Sequence, residues 1–357
     1  MTPETKIDEG KLNAFLGQVV GDVAAAASAV MVVLGDKLGL YKALAARGPS
    51  TGEELAQATR LAPRYVVEWL GNQTAGGYLL YQPATGRYTL PPEHALVLAD
   101  DASPAFLAGA FQVVLAMFRG LPRTQDNFRT GQGVAWGEQD GCLFEGTERL
   151  FRPGYVTNLV QSWLPALEGV VPKLEAGARV ADLGCGHGAS TLVMAKRFPK
   201  SSFFGFDSHP GSIEVARQRA KEAGAGVEER VHFAVADAAR FPGDGYDLIA
   251  AFDCLHDLGD PLGAARHARR VLAADGTFLL VEPAAGERLE DNLNPVSRLF
   301  YAASTCLCVP CSLATGGPAL GAQAGRARLA GLLGEAGFSR LRLATQTPFN
   351  LVLEARP

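Results

Sequence analysis

The segment Val180-Ala181-Asp182-Leu183-Gly184-Cys185-Gly186-His187-Gly188-Ala189-Ser190 joins an apolar run to a helical pattern. Its glycines permit a tight turn and close approach of a ligand to the backbone. Gly184, Gly186 and Ala189 also satisfy the loose dinucleotide-binding pattern, but Asp182 argues against that ligand. A carboxylate at the mouth of the turn repels a pyrophosphate and attracts a ligand that carries an ammonium and a sulfonium. A second acid, Asp207, ends the run Phe203–Phe206, where a carboxylate can accept both hydroxyls of a ribose. A third, Asp237, follows the next run within Val235–Ala238, and its alternative role is to cap the following turn.

A separate constellation, Asp253-Cys254-Leu255-His256-Asp257-Leu258-Gly259-Asp260, follows the apolar run Tyr246–Phe252. An imidazole with its ordinary pKa of about 6.5 can take a proton from a hydroxyl at neutral pH, where an ionised phenol is scarce. His256 is therefore read as a general base, with a hydrogen-bonding or structural role as the alternatives. His94, His187, His209, His232 and His267 stand without such company. Cys306, Cys308 and Cys311 lie in and beside the apolar run Ala302–Pro310 and read as packing cysteines rather than zinc ligands, so no metal is expected.

These residues need a scaffold, and the pattern from Ala178 onward supplies one. Short apolar runs at Arg179–Leu183, Ser202–Phe206, Val231–Ala234, Asp247–Phe252 and Thr277–Val281 alternate with helical segments, as in a parallel sheet covered on both faces. Such sheets bind ligands at the carboxyl ends of their strands, where all the acids above fall. Arg340–Ala344 and Asn350–Ala355 add an antiparallel hairpin. Residues 9–50 carry two or three apolar helices. Ser50-Thr51-Gly52-Glu53-Glu54 opens a helix with a capping box, Pro63 opens a second, and two short runs follow around a Pro-Ala-Thr-Gly turn. Residues 38–92 thus read as a winged helix. Residues 50–90 balance Glu53, Glu54 and Glu68 against Arg60, Arg64 and Arg87, which favours a structural or dimerising module over a DNA reader. The divisions are 1–105, a helical and winged-helix dimerisation domain; 106–170, a helical linker whose aromatic residues contribute to a substrate pocket; and 171–357, the cofactor-binding domain.

From about residue 170 onward the chain resembles the class I S-adenosylmethionine-dependent methyltransferases, in which the Asp-x-Gly-x-Gly-x-Gly turn and the two acids occur in this order. The resemblance implies an α/β fold with a Rossmann-like seven-stranded sheet behind the mainly helical winged-helix domain. It implies S-adenosylmethionine as cofactor and S-adenosylhomocysteine as product. Gly184, Gly186 and Gly188 would approach the methionine part, Asp182 its amino end, Asp207 the ribose and Asp237 the adenine, with Ala238 and Phe252 in the same cofactor-binding set. His256-Asp257 looks like the pair that follows the fourth strand in plant-type small-molecule O-methyltransferases, where the histidine is the base, and Glu282 matches the acid that buttresses it. Gly321–Arg326 departs from that family by offering no second carboxylate. The whole chain is similar to bacterial methyltransferases with a winged helix in front, some of which are labelled regulators.

Composition bounds these readings. A chain of 357 residues suggests two domains, and 48% hydrophobic with 20% charged residues describes a folded protein. A net charge of −4 supplies no global field for nucleic acid or an anionic membrane. Met1–Lys11 shows no apolar core of a secretory signal, and Val23–Gly35 is too short to span a bilayer and reads as a buried helix. With six irregularly spaced cysteines, the chain is expected to be cytoplasmic. Two functions follow: methyl transfer to a hydroxyl oxygen of a small-molecule acceptor by a homodimer without nucleic acid or membrane partners, or a transcriptional regulator that responds to S-adenosylmethionine or another ligand and reads DNA through residues 50–90.

Overall fold

The computed structural model describes residues 7–357, so the first six residues of the acidic N-terminal stretch lie outside the described residues. Contacts divide the chain into two compact units, Met1–Leu115 and Ala116–Pro357. The division falls within the helix Ala108–Arg119, ten residues beyond the expected boundary at 105.

In the first unit the apolar residues near the N-terminus form one long helix, Glu9–Lys37, followed by Leu40–Arg47. The long helix is not the buried helix that its composition suggested. Only Ala29, Val32, Val33 and Gly35 are buried, where Trp69 Nε1 donates to the Met31 carbonyl at 2.8 Å, while Phe15, Val20 and Val23 are more than 60% exposed. The helix also extends beyond the apolar run Val23–Gly35: it and the helical stretch Pro295–Ala314 are long and apolar enough to cross a membrane by length and composition. The winged-helix expectation is met. Thr51 caps the helix Gly52–Thr59 through a reciprocal box with Glu54, Pro63 opens Pro63–Ala75, and β1 (Leu80–Gln82) pairs antiparallel with β2 (Arg87–Thr89).

The second unit is built on β3 (Arg179–Leu183), β4 (Ser202–Asp207), β5 (Val231–Val235), β6 (Tyr246–Phe252), β7 (Leu272–Pro283), β8 (Arg340–Gln346) and β9 (Asn350–Arg356). Their spatial order is β5-β4-β3-β6-β7-β9-β8. The first five run parallel, and β9 inserts antiparallel between β7 and β8. One apolar cluster gathers Val180, Phe203, Leu248 and Leu279 with Trp163 and Phe198, and another gathers Ala181, Phe206, Ile249 and Phe278 with Leu329 and Leu333. Alternate residues of each strand thus feed opposite faces, and burying each large apolar side chain contributes about 1.5–3 kcal/mol. This double packing fixes the strand ends, and with them the turns that carry the acids.

Candidate active site

The turns after β3, β4, β5 and β6 open on a cavity of about 910 Å³ within the second unit, lined among others by Gly184, Gly186, Asp207, Asp237, Ala238 and Phe252. Gly184, Gly186 and Gly188 all have positive φ, at 64°, 52° and 78°. At Gly186 the place of a Cβ is open, with nothing within 4 Å, so the backbone itself faces the space. Gly188 serves differently. A Cβ there would stand 2.6 Å from the Phe233 ring, and the residue precedes the helix Ala189–Arg197 outside the cavity lining. Its glycine lets the helix close against β5.

Asp182 and Asp207 bracket the turn. Asp182, 1% exposed, accepts from Ser190 Oγ and Thr191 Oγ1 through Oδ2, both at 2.6 Å, while Oδ1 is buried without a hydrogen-bond partner. Burial, aided by Asp207 and opposed by the two hydroxyls, pushes its carboxyl from 3.8 up to about 6. It stands behind the turn rather than in the cavity lining. Asp207 lines the cavity and accepts from Gly186 N at 2.9 Å and His209 N at 2.8 Å. Burial raises it against the pull of those two donors. Each of its oxygens retains lone pairs for a further donor. Asp237 is exposed and lines the cavity, and its Oδ1 caps the turn by accepting from Ala239 N at 2.7 Å.

His256 lies in a single 3-10 turn, Leu255–Asp257, and is 3% exposed. Its Nδ1 is hydrogen-bonded to Glu282 Oε2, and the other oxygen of Glu282 accepts from Leu255 N at 2.9 Å. Glu282 thus ties the imidazole to the backbone of its own turn. Nε2 stands 3.1 Å from Asp257 Oδ1, and Asp257 rather than His256 lines the cavity. Burial, the largest influence, disfavours a charged ring here, but the attraction of Asp257 and Glu282 together outweighs it and raises His256 well above 6.5. The ordinary imidazole pKa used in reading the sequence does not hold in this setting, because two carboxylates flank one ring.

Residues 174–319 match a family model described as "Methyltransferase domain", and residues 26–100 match one described as "Rv2258c-like winged HTH domain". The chain carries a methyltransferase domain behind a winged helix. Trans-aconitate 2-methyltransferase of Methylobacterium radiotolerans is 36% identical over 155 residues, covering 43% of this chain and 53% of that protein. The chain spans about half the length of the curated relatives it matches first. Among solved structures, human N-acetylserotonin methyltransferase in complex with S-adenosylmethionine superposes with a TM-score of 0.72 at 18% identity, covering 99% of both chains. An O-methyltransferase from neocarzinostatin biosynthesis, in complex with S-adenosylhomocysteine and 1,4-dihydroxy-2-naphthoic acid, superposes with a TM-score of 0.63 at 18% identity, covering 92% of this chain and 96% of that one. At such identities these two likenesses establish the shared fold.

The methyltransferase domain fits a cationic cofactor by its own geometry: an open glycine backbone at Gly186, an orphaned carboxylate oxygen on Asp182 and a second buried acid at Asp207. It also brings to the cavity residues that pattern reading did not single out as ligands. Trp136 packs edge-on against Phe144, whose ring stacks on His209 at 4.5 Å. Asp253 holds a strained left-handed φ of 50° and accepts from Asn350 Nδ2 at 3.2 and 3.4 Å. The aromatic residues were visible in the sequence as a cluster, but nothing in their spacing told which would face the cavity. A left-handed aspartate leaves no mark in composition.

Proposed function

We propose that the protein transfers the methyl group of S-adenosylmethionine to a hydroxyl oxygen of a small-molecule acceptor, with His256 as proton acceptor and Glu282 as its buttress. The observation that carries this reading is that the glycine turn, Asp207 and the His256-Asp257 turn meet at one cavity. The cofactor, when bound, supplies an electrophilic methyl on a sulfonium. Gly184 and Gly186 hold its methionine part, Asp182 gives negative charge at the amino end, Asp207 accepts from the ribose, and Asp237, with Ala238 and Phe252, faces the adenine. Methyl transfer is a displacement, so alignment and exclusion of water are the protein's main tasks. Trp136, Phe144 and Tyr155 supply apolar walls for both. Glu282 fixes the imidazole through Nδ1, leaving Nε2, on the Asp257 side, to take the acceptor's proton once the ring is neutral.

In this reading residues 1–105 dimerise, residues 106–170 help to shape the acceptor pocket, residues 171–357 hold the cofactor, and the protein works in the cytoplasm as a homodimer. The exposed apolar side chains of Glu9–Lys37 support dimerisation. Against the regulator, Arg87 on the wing is paired with both oxygens of Glu54 at 2.8 and 2.9 Å, and Arg64 is paired with Glu68. These pairs neutralise two of the positive charges that phosphates would need. The test is transfer of labelled methyl from S-adenosylmethionine to a panel of hydroxylated aromatics, starting with dihydroxynaphthoates, alongside amine and thiol analogues. Transfer only to the amines or thiols refutes the oxygen assignment.

A further inference from the structure

At and behind the cavity wall, three side chains form a donor set to which methyl transfer gives no joint role. His256 Nε2, Asp257 Oδ1 and Cys308 Sγ all lie within 4.8 Å of one another. Asp257 Oδ1 is buried and stands 3.1 Å from His256 Nε2. Glu282 binds Nδ1 on the far side of the ring, the arrangement by which an outer carboxylate orients a metal-ligating histidine. Cys308 closes a one-turn π-helical stretch, Ser304–Cys308, a local widening of the helix that recurs at functional sites. Cys311, three residues on, reaches the cavity wall. Of the three neighbouring cysteines, read from sequence as packing residues, the fold brings Cys308 to the histidine.

We propose that His256, Asp257 and Cys308 bind a thiophilic divalent cation, Zn²⁺ foremost, and that its binding inhibits methyl transfer. One nitrogen, one carboxylate oxygen and one sulfur are the mixed set that Zn²⁺ accepts, with a fourth position left for water or an acceptor atom. Asp257, at the wall, gives the ion its way in from the cavity. On binding, Zn²⁺ displaces the thiol proton of Cys308 and the Nε2 proton of His256 to solvent, and its bonds to sulfur and nitrogen take their place. No oxidation change occurs. Inhibition follows because the metal occupies the lone pair that would take the acceptor's proton. That half rests on the reading of His256 as base, whereas the binding half does not.

The experiment uses the full chain, stripped with a chelator and titrated with Zn²⁺ by calorimetry and with Co²⁺ by absorption spectroscopy. One ion per chain is expected, with a thiolate-to-cobalt charge-transfer band. Cys308→Ser should abolish the band and high-affinity Zn²⁺ binding, Cys306→Ser should keep both, and Glu282→Gln should weaken Zn²⁺ binding about 10- to 100-fold. Retained S-adenosylhomocysteine binding shows that each variant is folded, and Asp257→Asn gives a second route should Cys308→Ser fail that check. Zn²⁺ should inhibit methyl transfer by the wild type and spare Cys308→Ser. Undiminished Zn²⁺ binding by Cys308→Ser or Asp257→Asn overturns the site. Binding that depends on Cys308 but leaves turnover untouched overturns the inhibition, and with it the assignment of His256 as base, while the site itself stands.

Discussion

Asp257 reaches the cavity wall while His256, its neighbour, lies behind it with Nε2 3.1 Å from Asp257 Oδ1 and Nδ1 bound to Glu282. Two carboxylates thus flank one buried ring. The pairing holds the imidazole in a single orientation and places any proton that it takes between fixed charges.

If His256 is the proton acceptor, His256→Ala lowers the turnover rate by roughly 10² to 10⁴, the usual loss for a general base. Cofactor affinity should stay nearly unchanged, because His256 is not among the cavity-lining residues. Glu282→Gln keeps the shape but loses the charge behind Nδ1, and it should lower turnover with little change in KM. Steady-state kinetics on both variants with calorimetry of the cofactor separates chemistry from binding. Full activity of His256→Ala would remove it from the reaction.

Asp207→Ala removes a carboxylate that accepts from Gly186 and His209 and has capacity left for a ligand. Each hydrogen bond to the charged group that a ligand loses should cost about 1.5–3 kcal/mol of affinity. Calorimetric titration of S-adenosylhomocysteine measures the loss, and unchanged affinity in the folded variant would mean that Asp207 does not hold the ribose.

Much of this arrangement was legible in the chain because it depends on local rules. The alternation of apolar runs indicated the five parallel strands and the closing hairpin the other two, and the capping box at Thr51 and Glu54 appears where its residues indicated. The exception in length is β7, which begins at Leu272 rather than Thr277, because a register shift between Tyr246 and Leu248 lets its early residues pair with β6. What the sequence did not disclose was depth. Asp182, Gly188, His256 and Glu282 lie behind the cavity lining, and a motif fixes order along the chain without telling which side of a turn a side chain takes. The apolar helix at the front failed for a related reason. Composition announces that its side chains avoid water, but whether they are covered within one chain or by another copy is decided by tertiary packing.

The buried carboxyl of Asp182 makes both stability and binding depend on pH. Its pKa is raised in the fold, so the charged form is the disfavoured one. Stability is lost as pH rises from 3.8 to about 6, by about 3 kcal/mol, and stays lost above that range. Asp182→Asn should therefore melt higher than the wild type above pH 6 and lose that difference toward pH 4. If Asp182 gives the charge at the amino end of the cofactor, wild-type affinity should strengthen as pH rises through about 6, and the variant should show no such rise. Thermal melts and calorimetry across this range test the two halves separately.

The exposed apolar face of Glu9–Lys37 should be covered by a second copy of the chain. Phe15, Leu16, Val19, Val20 and Val23 occupy neighbouring turns of one helix and are all at least 38% exposed. Each large apolar side chain removed from water contributes about 1.5–3 kcal/mol, enough for a few of them to hold an association at micromolar concentration. Val20→Asp with Val23→Asp places two charges on that face, so dimers seen by light scattering should give way to monomers. Phe15→Leu, which keeps the face apolar, should leave them intact. Because the cavity is lined from the second unit, the monomeric variant should still bind S-adenosylhomocysteine. A double variant that stays dimeric would place the interface elsewhere, and a wild-type chain that is monomeric at micromolar concentration would leave the apolar face to some other partner.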